Sequence, residues 1–474
     1  MATKKDLVEA HAFSRRRLVT AFVSGAPGGR EVEPVRPGRV LIGGVALSVL
    51  LLAGAAIAGF LLGRPPAQWL DKGSFVISKD TGEQYVVLRG GDDPVLQRVP
   101  NYVSAQLLLG EDELTPYTVR DKYIRTVQLG EDLGIEGAPA GLPSAGELVD
   151  DGWTACTAAD TGIKVALQQT PTVEDLTASA FLVSSKGQQW LIATAPGVGS
   201  DQGTAYRIPM PADETQASTV GDRLGFAATA TEVDEEWLDL FRIGEPLEES
   251  SFGVTRGGER VPYGDTGTDL SRYRIGDLLV SSEGTYYLLG DEKPERLNDF
   301  AAMVYDVVGE PATEIPDRLY ASFGDAKIPE EWPSGLPQAV GTGAMCAVLH
   351  PEPGAAPMVS LATNPTGAAD PVEAEVRRGR HAVDVEPSAG AYVLSGSDES
   401  TDSGTPYVID TKGQKYALYG PEVPDYIGYS SVDPAVVPSS WLRFFEPGVV
   451  LSTNRARRVP DDAPPPEDAT ADAG

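Results

Sequence analysis

Residues 40–62, VLIGGVALSVLLLAGAAIAGFLL, run without a single charged side chain. As a helix rising about 1.5 Å per residue the run is about 34 Å long, enough to cross a hydrocarbon core of about 30 Å with modest tilt. This predicts one retained membrane span over 40–63. A cleaved signal peptide is the competing reading, but its apolar stretch is about 7–15 residues and starts nearer the N-terminus. Residues 1–39 carry eight basic side chains (Lys4, Lys5, Arg15, Arg16, Arg17, Arg30, Arg36, Arg39) against four acids, and only Arg64 follows the run closely. The positive-inside rule then places the N-terminus in the cytoplasm, in a single-pass plasma (inner) membrane topology, with the bulk of the chain periplasmic.

Charge divides the chain at the same point. Setting residues 1–39 aside from totals of 38 basic and 69 acidic leaves 30 and 65 for the remainder, a net charge of −35. Such a body repels nucleic acid and anionic headgroups, so its partners are protein, cell wall or small molecules. With 41% apolar and 23% charged residues the chain has the composition of a folded protein, and its external length supports several modules. From about Asn454 the apolar anchors stop and the end, PDDAPPPEDATADAG, predicts a disordered tail over 454–474.

A short unit recurs four times, at 75–85, 181–190, 278–287 and 407–416, turning at Gly82, Gly187, Gly284 and Gly413. Each is an apolar run, small polar residues, glycine, then an aromatic three positions on, which predicts a β-hairpin with glycine supplying positive φ. The segments C-terminal to these units sort them into two kinds. Asn101 and Asn298 each precede a short helical pattern that they would cap, after the first and third units. Trp237-x-x-x-Phe241-x-x-Gly244 and Trp441-x-x-x-Phe445-x-x-Gly448 come after the second and fourth. Between the kinds lies a further echo, Gly141-Leu-Pro143 before Cys156 and Gly335-Leu-Pro337 before Cys346. The body therefore reads as two diverged halves. The four aromatics suit packing, with interface contact the second use.

The two cysteines fall outside the membrane at comparable places in the halves. In an oxidising compartment a Cys156–Cys346 disulfide is the default, closing a loop of about 190 residues and stabilising by up to ~5 kcal/mol in the chain-entropy model. Two buried thiols or a redox pair are the alternatives, without a C-x-x-C to support the latter.

Motifs for chemistry are missing from the sequence. There is no G-x-x-x-x-G-K-[ST], G-x-S-x-G or H-E-x-x-H. Of three histidines His11 lies in the head, leaving His350 and His381, which suit ordinary surface or loop packing. Asp265 and Asp269 lack the calcium-loop pattern and suit a solvated turn. No metal site and no catalytic residue is predicted. In the head, Thr3-x-x-Asp6 opens a helix running to Val23 with Gly25 as its stop. Arg15, Arg16 and Arg17 are candidates for anionic headgroups or an acidic cytoplasmic partner, or serve topology alone. Ala55, Gly59 and Gly63 recur every four residues and would let a second helix approach.

Residues 10–25 (AHAFSRRRLVTAFVSG), 73–77 (GSFVI) and 134–139 (GIEGAP), in this order around one apolar run, resemble the EccB family, the single-span component of actinobacterial type VII (ESX) secretion machinery. The resemblance covers nearly the whole chain and rests on co-linearity rather than on one motif. It implies an α+β fold, in which one N-terminal transmembrane helix precedes an elongated periplasmic region. That region comprises four diverged hairpin/helix repeats around a disulfide-linked core with pseudo-twofold duplication. The expected divisions are a basic head (1–39), span (40–63), first repeat (64–130), first half-core (131–175), second repeat (176–250), third repeat (251–325), second half-core (326–387), fourth repeat (388–453) and tail (454–474). The resemblance also implies a complex with the EccC motor ATPase, EccD, EccE and a mycosin protease. Self-association of bodies and cell-wall contact are further expectations, the latter as a peptidoglycan-binding alternative. No cofactor is expected. Family members have been described as ATPases, so external ATP hydrolysis stays the enzymatic alternative, at a site that only folding would assemble.

Overall fold

The computed structural model describes residues 3–24, 37–62, 65–158, 161–196, 203–226, 230–264, 269–315, 324–341, 343–364 and 380–460. It divides into two units, Met1–Ala67 and Gln68–Gly474. In the first unit the helix Lys4–Ser24 starts as its sequence predicts, with the Thr3 amide (3.0 Å) and hydroxyl (2.8 Å) both donating to the Asp6 carboxylate. Those bonds hold the Asp6 carboxyl below its ordinary range. Gly25 lies outside the described residues. A second helix, Pro37–Leu62, takes in the apolar run and opens with proline at its first position, where the missing N–H costs nothing. Its described side chains, 41–55, are all exposed, Leu41, Ile42, Val45, Leu50 and Leu52 among them, and the Ser48 hydroxyl is satisfied by the Gly44 carbonyl at 2.8 Å. Among the described residues no helix is long and apolar enough to cross a membrane.

Among the described residues the second unit is built on five sheets; three share one five-strand order and another shares its first four places. In the first sheet, strands Phe75–Ser78, Gln84–Arg89 and Val95–Val99 form an antiparallel meander. The helix Tyr102–Leu109 returns the chain to strand Pro116–Val119, parallel to the first, and a helical turn Asp121–Ile124 leads to Gln128–Leu129, parallel to the third. The second sheet repeats this with Ser179–Ser185, Gln188–Ala195, Thr204–Pro209, helix Glu214–Arg223, Thr231–Glu232, turn Glu235–Leu238 and Arg242–Ile243. The fourth repeats it with Ala391–Gly396, Thr405–Ile409, Gln414–Ala417, turn Val423–Tyr426, Val436–Pro438, turn Ser439–Leu442 and Glu446–Pro447. The third has Leu278–Ser281, Tyr286–Leu289, Pro294–Arg296, helix Asp299–Val308 and Thr313–Ile315, with a single Arg296–Asp325 bridge in the fifth place.

Two sequence expectations change here. Gly82, Gly187 and Gly284 turn the first strand into the second, with φ of 78°, 84° and 82°, whereas Gly413 (φ 74°) turns the second into the third. The fourth match is therefore displaced by one strand, because both hairpins of a meander present the same apolar–glycine–aromatic pattern. Nor do the two kinds of unit separate in the first and second sheets, which carry both features. Tyr123-x-x-x-Val127-x-x-Gly130 occupies in the first sheet the place that Trp237 to Gly244 occupies in the second, with a weaker aromatic signature. Likewise a side chain caps the main helix in the first, second and third sheets: Asn101, Asp213 and Asn298 accept from the amides of Ser104, Gln216 and Ala301 at 2.8–3.0 Å.

The fifth sheet joins both halves of the chain. Its order is His381–Val385, Ile163–Leu167, Trp153–Thr157, Ala344–His350, Met358–Asn364, Glu174–Leu176. Each half gives one hairpin and sends its third strand to the other's edge: Glu174–Leu176 pairs with Met358–Asn364, and His381–Val385 with Ile163–Leu167. One face of this sheet shares a core with the second and fourth sheets. A second core joins the second sheet to the third and another joins the first to the fourth, so the sheets associate in the sequence first, fourth, central, second, third. The tail also enters. Helical turn Thr453–Ala456, capped by Ser452, places a fully buried Ala456 in the core of the first and fourth sheets, and the Gly134 amide donates to the Arg458 carbonyl at 3.2 Å. Order therefore continues past Asn454, where the loss of bulky side chains had suggested disorder; residues 461–474 lie outside the described residues.

Candidate assembly core

Cys156 and Cys346 stand directly opposite each other on the two middle strands of the central sheet, Cα atoms 4.0 Å apart, and form a disulfide. They are 6% and 0% exposed, with Val173 and Val348 packed against them. The bond joins the halves at the place where their hairpins touch strand to strand, which spacing in sequence could suggest but not locate.

On the opposite face the adjoining sheets plug into the central one. Trp237 and Trp441, each in the turn before the fifth strand of its sheet, are fully buried there together with Phe241 and Phe445. The Trp237 indole donates to the Ala155 carbonyl at 2.9 Å, and Phe445 meets the edge of Trp153 at 5.6 Å between centroids. Packing is thus the use of all four aromatics. Two residues beyond each tryptophan stand Asp239 and Arg443, and they pair across the junction at 3.1 Å while Asp239 also holds Arg207 at 2.6 Å. The Gly-Leu-Pro echo has a shared outcome too. After Pro143, Leu148 bridges Gly390 just before the first strand of the fourth sheet; after Pro337, Gln338–Ala339 pairs with the first strand of the second.

His350 proves more connected than its sequence context suggests. Its Nε2 lies 2.8 Å from Ser360 Oγ and its Nδ1 3.2 Å from Asp151 Oδ1, the order of a nucleophile–base–carboxylate chain. The Asp151 side chain is 65% exposed, so water screens the carboxylate that would have to hold an imidazolium, and the chain reads as a strut fixing the 150–152 loop to the sheet. His381 packs edge-on against Phe444 at 5.4 Å. Arg15, Arg16 and Arg17 are exposed on the first helix, and Ala55 is exposed on the second. Gly59 lies in that helix with its surroundings not described; Gly63 and residues 265–268 lie outside the described residues. Among the described residues no group of three or more metal-ligating side chains occurs.

A family profile described as type VII secretion system ESX-1, transport TM domain B, matches residues 1–465. The chain belongs to this family. Among its relatives in the EccB family, the "ESX-1 secretion system ATPase EccB1" of Mycobacterium tuberculosis (strain ATCC 25618 / H37Rv) is 24% identical over 452 residues, 89% of this chain and 87% of the relative. That of Mycolicibacterium smegmatis (strain MKD8) is 23% identical over 458 residues, 90% and 88% of the two chains. A chain of an intact ESX-5 inner membrane complex superposes with a TM-score of 0.61 at 21% identity, covering 99% of this chain and 97% of its own. A chain of an EccB3 dimer from an ESX-3 core complex gives 0.58 at 18%, covering 81% and 100%. One segment behind the resemblance to the EccB family has a visible structural role. In 134–139, Gly134 takes φ 136° where a Cβ would sit 2.5 Å from Pro100 Cδ, and Ile135 is pinned on both sides by Asn101 and Ser104.

Proposed function

We propose that the protein is a structural component of an ESX type VII secretion complex of the inner membrane, its N-terminal helices joined to the membrane part and its acidic body projecting into the periplasm. The observation that carries this reading is the family match over residues 1–465; the helix Pro37–Leu62, uncharged from residue 40, adds to it, because its described apolar side chains are exposed and find no core among the described residues of their own unit. A bilayer is the environment that would bury them, at about 1.5–3 kcal/mol per large side chain. The ESX complexes in which similar folds sit support the same reading. EccC, EccD, EccE and a mycosin are the proposed partners, and the dimeric relative supports pairing of bodies. The strand order that three sheets share in full and another in its first four places supports descent from one duplicated unit.

The relatives' names include ATPase, but this sequence has no P-loop to cradle a triphosphate, and assembly explains the buried central aromatics and disulfide without a nucleotide. Deleting residues 1–63 tests the reading: the body should fold, leave the membrane fraction and fail to restore export. Export by the deleted protein would refute it.

A further inference from the structure

A cleft of about 510 Å³ opens on the second sheet, between its first hairpin and the helix Glu214–Arg223. Glu214, Ser218, Gly221 and Asp222 all line it, and positions 0, 4, 7 and 8 of a helix form one stripe. The other stripe is already used: Arg223 pairs with Asp306 at 2.5 Å, Gln216 donates to the Val307 carbonyl at 3.4 Å, and Val220 is buried in the core shared with the third sheet. Leu182 and Phe226 make an apolar floor. Next to Asp222, at one end of the stripe, Gly221 keeps that floor open, since a Cβ there would touch only Leu182, at 3.5 Å. The carboxylates of Glu214 and Asp222 stand exposed at its two ends, neither with a salt-bridge partner among the described residues. Eight residues of helix separate them by about 12 Å.

We propose that this cleft docks an extended polypeptide segment of a partner protein bearing two basic side chains four residues apart. An extended strand covers about 13 Å in four residues, which matches the carboxylate spacing. Lysine and arginine bring an aliphatic stem for the Leu182–Phe226 floor and a charged head for the carboxylates. A single ammonium cannot reach both acids, and the body's negative field draws a basic segment in from a distance. The site extends the assembly reading by naming a partner chemistry, yet stands apart from it: the protein could sit in the complex with this cleft empty.

The test uses full-length protein in mild detergent and a fluorescein-labelled pentapeptide with arginine at positions one and five and serine between. Anisotropy should show saturable binding that weakens at least tenfold in Glu214→Gln/Asp222→Asn and in Gly221→Leu, whose side chain fills the cleft. Binding unchanged in the carboxylate variant refutes the site. So does a folded Gly221→Leu protein that binds normally, or no saturable binding at all. A peptide with adjacent arginines binding as tightly would mean general attraction to an acidic surface and equally overturns the proposal. Should Gly221→Leu fail to fold, the carboxylate variant decides alone. Loss of the peptide site with co-purification of the secretion complex intact would separate failure here from failure of the assembly reading.

Discussion

Replacing both cysteines, Cys156→Ala with Cys346→Ala, removes the one covalent tie between the halves. The bond spans 190 residues of sequence, and closing a loop that long lowers the entropy of the unfolded chain by the equivalent of about 5 kcal/mol. The folded state should lose little, because the two strands stay paired at Ala155–Ala347 and Thr154–Val348 and alanine fits between Val348 and Val173. Nearly the full effect should then appear in unfolding. Trp153, Trp237 and Trp441 are fully buried in the central core and Trp332 in the core of the second and third sheets, so their emission reports loss of that packing. Urea titration of wild type and variant, in the same detergent, should show the variant unfolding at clearly lower urea with an unfolded emission maximum unchanged. A midpoint shift worth less than about 1 kcal/mol would refute the idea that the bond limits the unfolded ensemble and would mean that the halves remain associated when the sheets melt.

Trp237→Ala should cost about 3–5 kcal/mol through the cavity and the orphaned Ala155 carbonyl, far more than Tyr123→Ala at the matching, partly buried place in the first sheet; urea midpoints check it. Gly134→Ala, which meets Pro100, should destabilise by more than about 2 kcal/mol, while Gly284→Ala, at φ 82° in open space, should cost only about 1 kcal/mol in the same assay. Burial and the hydrogen bond to Glu83 push the Tyr85 phenol up to about 12. Because the folded state favours the protonated form, this stabilisation is complete below pH 10 and is lost as pH rises toward 12; Tyr263, Tyr305, Tyr416 and Tyr429 are also raised by burial, so a phenolate titration at 295 nm should lose one phenol's share of the late absorbance rise in Tyr85→Phe. Asp239→Asn should cost about 1 kcal/mol, the three side chains being partly open to water, and lower the salt dependence of stability.

Much of the fold is readable from residues that act locally. Thr3 and Asp6, Asn101 and Asn298 cap helices through bonds within a turn, and glycines at 82, 187 and 284 set turns through their own φ. The features that could not be read depend on partners far along the chain. Gly413 looks like its fellows although it serves the next hairpin. The exchange of Glu174–Leu176 and His381–Val385 between halves leaves no local trace, because each strand's partner lies in the other half of the chain. Asp239, Ser360 and Asp151 were invisible for the same reason: among 69 acids nothing in the sequence marks the one that Arg207 and Arg443 share. Ala456 shows the converse, a small residue buried where bulk was the expected sign of order.

Membership in a membrane-embedded secretion assembly is tested most directly by affinity purification of the full-length protein from its own membranes in mild detergent, with sizing and mass spectrometry of the proteins that accompany it. The expected result is a very large particle containing a motor ATPase and multispan membrane proteins, lost when residues 1–63 are removed. Recovery of the protein alone, or with cell-wall material only, would contradict it.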